Sequence, residues 1–388
     1  MSREFDIIVY GATGFTGRLV AEYLAERYSD VKWAMAGRSL TKLQEVRDEI
    51  GAPAETPLLT ANADDPASLK AMVARATVII STVGPYQLYG EALLAACAET
   101  GTAYVDLCGE PAWMAQMIRK YDATAKASGA RIVFSCGFDS IPFDLGVWAV
   151  QEEARKRFGS PAPRVKGRVR AMKGTFSGGT FASGKASMAA AAKDPSILKL
   201  MIDPFALAPG FDGPHQPNGM VPHHDAAVDA WVAPFMMAVI NTKNVHRTNF
   251  LAGQPYGADF QYDEMLVVPG LGEIGKAAAE AIAKFNPMAA EKGPAPGEGP
   301  SKEERDTGHY DIAFIAEMPT GERVTFGVKG DKDPGYGSTC RMITESALCL
   351  IRDVPAEDKG GIWTPGALMP EPLRKRLEAN AGLSFTVE

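Results

Sequence analysis

The sequence predicts an α/β fold with a doubly wound parallel sheet, followed by an α+β region that contains an antiparallel sheet. Short apolar runs over 5–11, 32–38, 57–61, 77–83, 103–107 and 131–135 are typical of buried parallel strands. Stretches over 16–28, 40–50, 67–74, 90–100 and 111–127 lie between most of these runs and indicate helices. Alternation of this kind builds βαβ units and therefore a parallel sheet.

A different pattern follows residue 142. A helix is predicted over 143–158, and the alternating run over 165–174 predicts a half-exposed strand. Two further runs, over 310–318 and 323–330, flank a Pro-Thr-Gly-Glu turn and indicate a hairpin. Strands without intervening helices favour an antiparallel sheet. The segment 286–308, rich in Pro, Gly and charge, is predicted to be a loop or lid, and 338–352 a helix.

Composition and charge narrow the class of protein. A net charge of −7 argues against a nucleic-acid partner, which usually needs a basic face. The five cysteines form no Cys-x-x-Cys pair, so we expect no disulfide framework or zinc ribbon, and a cytoplasmic location. We expect no signal peptide and no membrane-spanning helix. The apolar stretch 230–240 is predicted to be buried, with docking to a membrane surface as the alternative.

The sequence Gly-Ala-Thr-Gly-Phe-Thr-Gly over 11–17 joins the first predicted strand to the first predicted helix. Gly11 permits a tight turn, Gly14 lets the backbone approach a pyrophosphate, and Gly17 lets the helix pack on the sheet. The N–H groups and the dipole of the helix start would hold the phosphates, whereas a tight turn without a ligand is the alternative. This pattern predicts a Rossmann-type dinucleotide-binding domain. The predicted contact residues are Gly11, Thr13, Gly14, Phe15, Thr16 and Gly17.

The end of the second predicted strand indicates which dinucleotide binds. NAD-specific domains usually place an acidic residue there to accept from the ribose 2′-hydroxyl. This chain has Arg38 and Ser39 instead, and a guanidinium can form two hydrogen bonds with a 2′-phosphate. The expected cofactor is therefore NADP, used as NADPH, with a merely solvated Arg38 as the alternative. The predicted cofactor site also includes Asp64 near the adenine and Val83, Gly84 and Pro85 near the nicotinamide ribose.

Three polar residues that follow predicted strands are candidates for the chemistry, because ligands of open α/β sheets bind beyond the carboxyl ends of the strands. Tyr86 is either a proton donor or a wall of the nicotinamide pocket. Glu110 lies at a helix start, where it is either a general acid–base group or a carboxylate with no chemical role. Asp139 is either catalytic or, together with Ser140, a helix cap.

Several longer motifs resemble those of one family. They include AGRS over 36–39, STVGPY over 81–86, VDLCGE over 105–110, GFDSIPFDLG over 137–146 and DPGYGSTCRMITESALCL over 333–350. With these motifs the sequence resembles the saccharopine dehydrogenase-like oxidoreductases, in particular the branch of the mycobacterial trans-acting enoyl reductases. The resemblance implies a Rossmann domain over 1–145, an inserted α+β substrate domain over 146–334, and a C-terminal segment, 335–388, that returns to the first domain.

The same resemblance implies an NADP-dependent oxidoreductase. Enzymes of this branch reduce a carbon–carbon double bond on a lipid-bound acyl chain made by a polyketide synthase, which suggests a lipid-like acyl substrate here. We expect hydride transfer from NADPH to an activated C=C or C=N bond, with a proton from Tyr86, Glu110 or water. Peripheral contact with a membrane and formation of a homodimer are left open.

Two alternative functions remain from the sequence. One is a non-catalytic NADP-binding sensor or scaffold, because no unmistakable set of catalytic residues is visible. The other is a saccharopine-type amino-acid dehydrogenase, in which Arg164, Arg168 and Arg170 would bind carboxylates. No metal site is predicted, since the neighbouring His223 and His224 lack the spacing of metal ligands.

Overall fold

The computed structural model describes residues 3–175, 177–285, 295, 297–355 and 360–388. Its N-terminal part alternates between strands and helices: β1 Phe5–Tyr10, α1 Phe15–Arg27, β2 Trp33–Gly37, α2 Leu40–Glu49, β3 Leu58–Thr60, α3 Pro66–Val73, β4 Ala76–Ser81, α4 Tyr86–Tyr89, α5 Glu91–Thr100, β5 Ala103–Asp106, α6 Pro111–Ser128 and β6 Arg131–Val133. The strands and helices predicted in this part are all present, with shifts of a few residues at their ends.

The second part is richer in helices than predicted. Its elements are α7 Ile141–Phe158, β7 Arg164–Lys173, α8 Gly178–Lys193, α9 Pro195–Ile202, β8 His223–Asp225, β9 Ala230–Pro234, α10 Ala238–Leu251, β10 Gln261–Val267, α11 Gly272–Lys284, α12 Lys302–Thr307, β11 His309–Glu317, β12 Arg323–Gly330, α13 Thr339–Arg352, β13 Gly361–Trp363, α14 Pro365–Leu368, α15 Pro370–Asn380 and β14 Leu383–Val387. A π-helical turn, Pro334–Ser338, precedes α13. Residues 286–294 and 296 of the predicted loop or lid lie outside the described residues.

The first sheet has seven parallel strands in the order β13-β6-β5-β4-β1-β2-β3. The predicted α/β class with a doubly wound parallel sheet is therefore confirmed. Because the chain proceeds outward from β1 in both directions, a crevice opens between the ends of β1 and β4. Ligands of doubly wound folds bind at such a switch point, beyond the carboxyl ends of the strands.

The second sheet also has seven strands, in the order β14-β12-β11-β7-β10-β9-β8. The predicted hairpin is present as the antiparallel pair β11–β12. The sheet is mixed rather than purely antiparallel, because β7 and β10 run parallel. Three helices, α8 to α10, lie between these two strands in the chain, and such long connections allow a parallel pair. The alternating pattern of the sequence did not reveal these connections.

The C-terminal segment supplies a strand to each sheet. In the first sheet β13 pairs with β6, and in the second sheet β14 pairs with β12. The helix α13 packs against α1, β4 and β5, under the first sheet. The predicted domain boundaries at 145 and 334 stay a prediction. The segment 335–388 contributes β13 to the first sheet and β14 to the second.

The core lies on both faces of the first sheet. In β1, Ile7 and Val9 belong to one apolar cluster, whereas Ile8 and Tyr10 belong to a cluster on the opposite face. Burial on both faces explains why the strands read as continuous apolar runs. The cluster of Ile7 continues to Phe314 of β11, so one core joins the two sheets. Within the described residues, no helix is long and apolar enough to cross a membrane.

Candidate functional site at the edge of the first sheet

The glycine turn after β1 has the geometry of a phosphate-binding loop. Gly11 has a φ of +90°, and its N–H donates to the carbonyl of Ala36 at 3.0 Å. A Cβ on Gly17 would lie 2.1 Å from the carbonyl oxygen of Gly11, so this position admits glycine alone. Among the described residues, a Cβ on Gly14 would meet only that same oxygen, at 3.3 Å. The outer side of Gly14, at the start of α1, is therefore open to a ligand.

Thr82 is a residue of this site that sequence reasoning missed. Its hydroxyl lies 3.1 Å from the carbonyl oxygen of Tyr10 and 3.3 Å from that of Gly11, to which it can donate. A Cβ on Gly11 would lie 2.7 Å from the hydroxyl oxygen of Thr82 and 2.7 Å from a methyl carbon of Val83. Val83 therefore packs against the glycine turn. The position of Thr82, directly after a predicted buried strand, was the available signal.

The end of β2 carries the groups predicted to select the cofactor. Arg38 is exposed and forms no ion pair within the described part of the chain. Burial raises the pKa of Tyr10. The nearby charge of Arg38 lowers this pKa and the nearby charge of Asp64 raises it, so the three side chains lie close together. Ser39 is the N-cap of α2 and accepts from the N–H of Lys42 at 3.3 Å, so its hydroxyl has a structural role.

Thr13 lies beside this strand end, and Gly84 at the other side of the crevice. A Cβ on Gly37, the last residue of β2, would be 3.7 Å from the Thr13 hydroxyl. Gly84 is exposed and precedes Pro85 through a cis peptide bond. The hydroxyl of Ser183, in α8, would lie 3.4 Å from a Cβ on Gly84. Thr13 thus lies beside the end of β2, and α8 passes close to Gly84.

Phe15 connects the glycine turn to the second part of the chain. Its ring meets the ring of Tyr336 edge-on at 5.1 Å between centroids, and the guanidinium of Arg305 lies 5.6 Å from its centroid. The hydroxyl of Tyr336 accepts from the N–H of Ser177 and bonds the hydroxyl of Thr180 at 2.8 Å. The side chain of Phe15 therefore holds the two parts together at the start of α8. Thr16, its neighbour, is half-buried in the first turn of α1.

Tyr86 is buried after β4, and its hydroxyl forms two hydrogen bonds. The hydroxyl donates to the carbonyl of Ser81 at 3.0 Å and accepts from the N–H of Leu107 at 3.1 Å. Burial raises the pKa of Tyr86 well above its ordinary value, with a further contribution from the charge of Asp106. The proton of Tyr86 is thus directed at the backbone and held firmly. This geometry favours the interpretation of Tyr86 as a wall of the pocket.

We expect Tyr86→Phe to destabilise the protein while leaving catalysis nearly intact. Loss of the hydroxyl leaves a buried N–H and a buried carbonyl without this partner, which costs about 1–3 kcal/mol. Denaturant unfolding and kcat with the same preparation measure the two effects. A kcat that falls by roughly 10²-fold with unchanged stability would instead identify Tyr86 as the proton donor.

Glu110 is 4% exposed and is bound by the backbone of α4. Its two carboxylate oxygens accept from the N–H groups of Tyr86 and Gln87 at 2.8 and 2.9 Å. These are the free N–H groups at the start of α4, where a negative charge is stabilised. Glu110 thus caps the N-terminus of α4, although in the sequence it directly precedes α6. The geometry favours a structural role for this carboxylate.

Asp139 differs from the other two candidates, because part of its carboxyl group has no partner. It lies between β6 and α7, and its buried Oδ1 accepts no hydrogen bond from the described residues. Burial raises the pKa of Asp139 to about 7, so much of the group is protonated at neutral pH. Ser140 is the N-cap residue of α7, but its side chain accepts no hydrogen bond from the helix backbone. Its hydroxyl accepts instead from the side-chain amide of Asn244 at 2.8 Å. Asp139 is therefore the candidate able to supply a proton.

The surroundings of Asp139 come from the second sheet and α10. Glu264 of β10 is fully buried and accepts from the side-chain amide of Asn241 at 2.9 Å. Burial raises the pKa of Glu264 to about 8, and the nearby charge of Asp139 adds to this rise. Sequence reasoning missed Glu264, Asn241 and Asn244. The acidic residue inside an apolar strand and the polar helix 241–249 beside it were the signals.

The arginines that an amino-acid substrate would need are already paired. Arg164 binds Asp263, and Arg168 binds Asp225 at 2.8 Å and Asp263 at 3.0 Å. Arg170 binds Asp311 and Glu388, the latter at 2.6 Å. Among the described residues, no group of three His, Cys, Asp or Glu side chains is arranged to hold a metal ion.

Comparisons with known proteins identify the family of this chain. Residues 7–133 match the family model of the saccharopine dehydrogenase NADP binding domain. The chain is 40% identical, over 408 residues, to a provisionally named trans-acting enoyl reductase of Mycobacterium tuberculosis, with 99% of this chain and 97% of that protein covered. It is 36% identical to the trans-acting enoyl reductase of Mycobacterium ulcerans, covering 97% and 96% of the two chains.

A solved structure supports the fold. The apo saccharopine dehydrogenase (L-Glu forming) of Saccharomyces cerevisiae superposes with a TM-score of 0.53 at 12% identity, covering 98% of this chain and 100% of that one. This likeness concerns the fold alone. The identity over the full length and the match of the NADP-binding domain decide the family. The chain belongs to the trans-acting enoyl reductases, a family of NADP-binding oxidoreductases with a saccharopine dehydrogenase-like fold.

Proposed function

We propose that the protein uses NADPH to reduce an activated carbon–carbon double bond in an acyl chain of lipid or polyketide type, presented as a thioester. The relatives named trans-acting enoyl reductase support this reaction. The observation that carries the proposal is a buried carboxyl group, Asp139, at the sheet edge that also bears the dinucleotide turn; its Oδ1 accepts no hydrogen bond from the described residues, and burial raises its pKa to about 7. Reduction of an enoyl group needs a hydride and a proton, and this edge is suited to both.

The residues around the crevice fit an NADP molecule. A larger residue at Gly17 would clash with the carbonyl of Gly11 and disturb the turn at the start of α1, where a pyrophosphate would bind. Arg38 is exposed and unpaired within the described residues, so its guanidinium is available to a 2′-phosphate. The bound cofactor supplies the hydride. The chain itself has to orient the substrate and supply the proton.

Asp139 performs the acid step in this proposal. As hydride reaches the β-carbon of the enoyl thioester, negative charge develops on the α-carbon and the carbonyl oxygen. The protonated carboxyl of Asp139 donates its proton to the α-carbon and becomes a carboxylate, which solvent then reprotonates. A pKa near 7 suits this role, because an acid near the working pH both holds its proton and releases it readily.

The test is a reaction with NADPH deuterated at the transferable position of C4 and a 2-enoyl pantetheine thioester. We expect one NADPH consumed for each saturated product, with deuterium from the cofactor at C3. In deuterated water, deuterium from solvent appears at C2. A mixture of an amino acid and a 2-oxo acid, offered in place of the thioester, should consume no NADPH, since Arg164, Arg168 and Arg170 are already paired.

The outcomes separate the rival functions. Tight binding of NADPH without oxidation by enoyl thioesters of any length would reject the reductase and favour a cofactor sensor or scaffold. Oxidation with the amino-acid mixture would favour reduction of C=N bonds.

A further inference from the structure

The helix α8 is linked at two places to the first part of the chain. At its start, the Thr180 hydroxyl bonds the Tyr336 hydroxyl at 2.8 Å, and the Tyr336 ring meets the ring of Phe15 at 5.1 Å between centroids. In its third turn, the hydroxyl of Ser187 accepts from the side-chain amide of Gln87 at 3.2 Å. Phe15 follows β1 and Gln87 follows β4. The helix α8 is thus linked to the segments after both strands that border the crevice.

Three hydroxyl groups lie along one face of α8, at Thr180, Ser183 and Ser187. Side chains three and four residues apart in a helix share a face. The outer two hydroxyls form the bonds that position the helix. Ser183 lies between them and is half-buried, and its hydroxyl forms no hydrogen bond with a described residue. The hydroxyl of Ser183 is therefore available to a ligand.

Ser183 lies next to the turn that follows β4. Its Oγ would be 3.4 Å from a Cβ on Gly84, and Gly84 itself is exposed. The preceding residue, Val83, packs against Gly11 of the glycine turn after β1. The turn 83–85 thus borders the switch point of the sheet, where the nicotinamide half of a dinucleotide is expected. A nicotinamide bound beside Gly84 would have the Ser183 hydroxyl within reach of its carboxamide group.

We propose that Ser183 is a cofactor-binding residue whose hydroxyl donates a hydrogen bond to the carboxamide oxygen of the NADPH nicotinamide. The proposal rests on the proposed use of NADPH, but it does not depend on which substrate is reduced. A hydrogen bond to the carboxamide restricts rotation of the nicotinamide ring, and thereby fixes which face of C4 meets the substrate. In this role the glycine turn holds the phosphates, whereas α8 orients the reactive ring.

The experiment measures, by calorimetry and without substrate, how tightly the full chain binds NADPH and adenosine 2′,5′-bisphosphate, which lacks the nicotinamide half. Ser183→Ala should weaken NADPH by roughly two- to tenfold, the contribution of one hydrogen bond, and leave adenosine 2′,5′-bisphosphate unchanged. Thionicotinamide-NADPH carries sulfur, a weaker acceptor, in place of the carboxamide oxygen. Ser183→Ala should therefore weaken this analogue less than it weakens NADPH. Because no substrate is present, a failure of enoyl reduction would not alter these results.

Ser187→Ala is the matched control, because it removes a hydroxyl from the same face of α8 and breaks the bond to Gln87. It should affect NADPH and its thionicotinamide analogue equally, since it leaves the Ser183 hydroxyl in place. Equal weakening of NADPH by Ser183→Ala and Ser187→Ala would mean that only the docking of α8 matters, and would overturn the proposal. An unchanged affinity of Ser183→Ala for NADPH, or equal losses for NADPH and the analogue in that variant, would overturn it as well.

Discussion

Asp139→Asn is expected to lower kcat for the enoyl thioester by roughly 10²–10⁴-fold, the usual contribution of a positioned general acid. Asparagine has the same shape but no proton of suitable acidity. The affinity for NADPH should stay the same, because Asp139 lies after β6 and the dinucleotide turn lies after β1. The unfolding free energy should fall little, since the buried Oδ1 accepts no hydrogen bond from the described residues. Steady-state kinetics, NADPH titration and denaturant unfolding measure the three quantities.

Glu264→Gln is the matched comparison, as Glu264 is a second buried carboxyl group of the same surroundings. Glutamine keeps an oxygen that accepts from Asn241, so we expect most of the activity to remain. An equal loss of kcat in the two variants would show that the cluster as a whole matters and that Asp139 has no special role.

The same assignment predicts how kcat varies with pH. Burial raises the pKa of Asp139 to about 7, and the protonated form is the active one. Activity should therefore be full below about pH 6 and decline as pH rises through 7. Asp139→Asn should remove this alkaline limb from its residual activity. A limb that persists in the variant would mean that another group donates the proton.

Arg38→Ala is expected to abolish the preference for NADPH over NADH. Hydrogen bonds to a charged group contribute about 1.5–3 kcal/mol, so the affinity for NADPH should fall by at least about tenfold, or 1.4 kcal/mol. The affinity for NADH, which lacks the 2′-phosphate, should not change. Titration of both nucleotides by nicotinamide fluorescence measures the ratio.

Arg119→Ala removes an exposed arginine from α6 and serves as the control for charge alone. Since neutralising any arginine makes the chain more negative, a nonspecific effect would weaken NADPH equally in both variants. If NADPH still binds much more tightly than NADH to Arg38→Ala, the 2′-phosphate is recognised elsewhere.

Local patterns in the sequence were enough for six of the seven strands of the first sheet and for the glycine turn, whereas β13 was not predicted. The strand–helix alternation up to residue 133 depends on apolar periodicity, and Gly11, Gly14 and Gly17 act within one turn. Such features are set by neighbours in the chain, so they can be recognised without knowing the fold. Arg38 is likewise identified by its place directly after a strand. The prediction of NADP binding, which the family match supports, followed from these few positions.

The mixed second sheet and the roles of the acidic residues required the tertiary structure. The sequence identified Tyr86, Glu110 and Asp139 as candidates because all three follow strands, and it favoured Glu110 as the acid–base group because Glu110 lies at a helix start. They differ in their hydrogen-bond partners. The N–H groups at the start of α4 bind Glu110, Ser81 and Leu107 bind the Tyr86 hydroxyl, and no described residue bonds Asp139 Oδ1.

The residues that surround Asp139 are far away in the chain. Ser140 meets Asn244, 104 residues later, and Glu264 of β10 lies near Asp139 of the first sheet. Burial of a polar group is a property of the packed molecule, since it depends on which helices and sheets meet around that group. The sequence by itself therefore determined the NADP-binding class, whereas the packing of the two sheets decided which polar groups are buried and which of them have partners, and it left Asp139 Oδ1 without a hydrogen bond from the described residues.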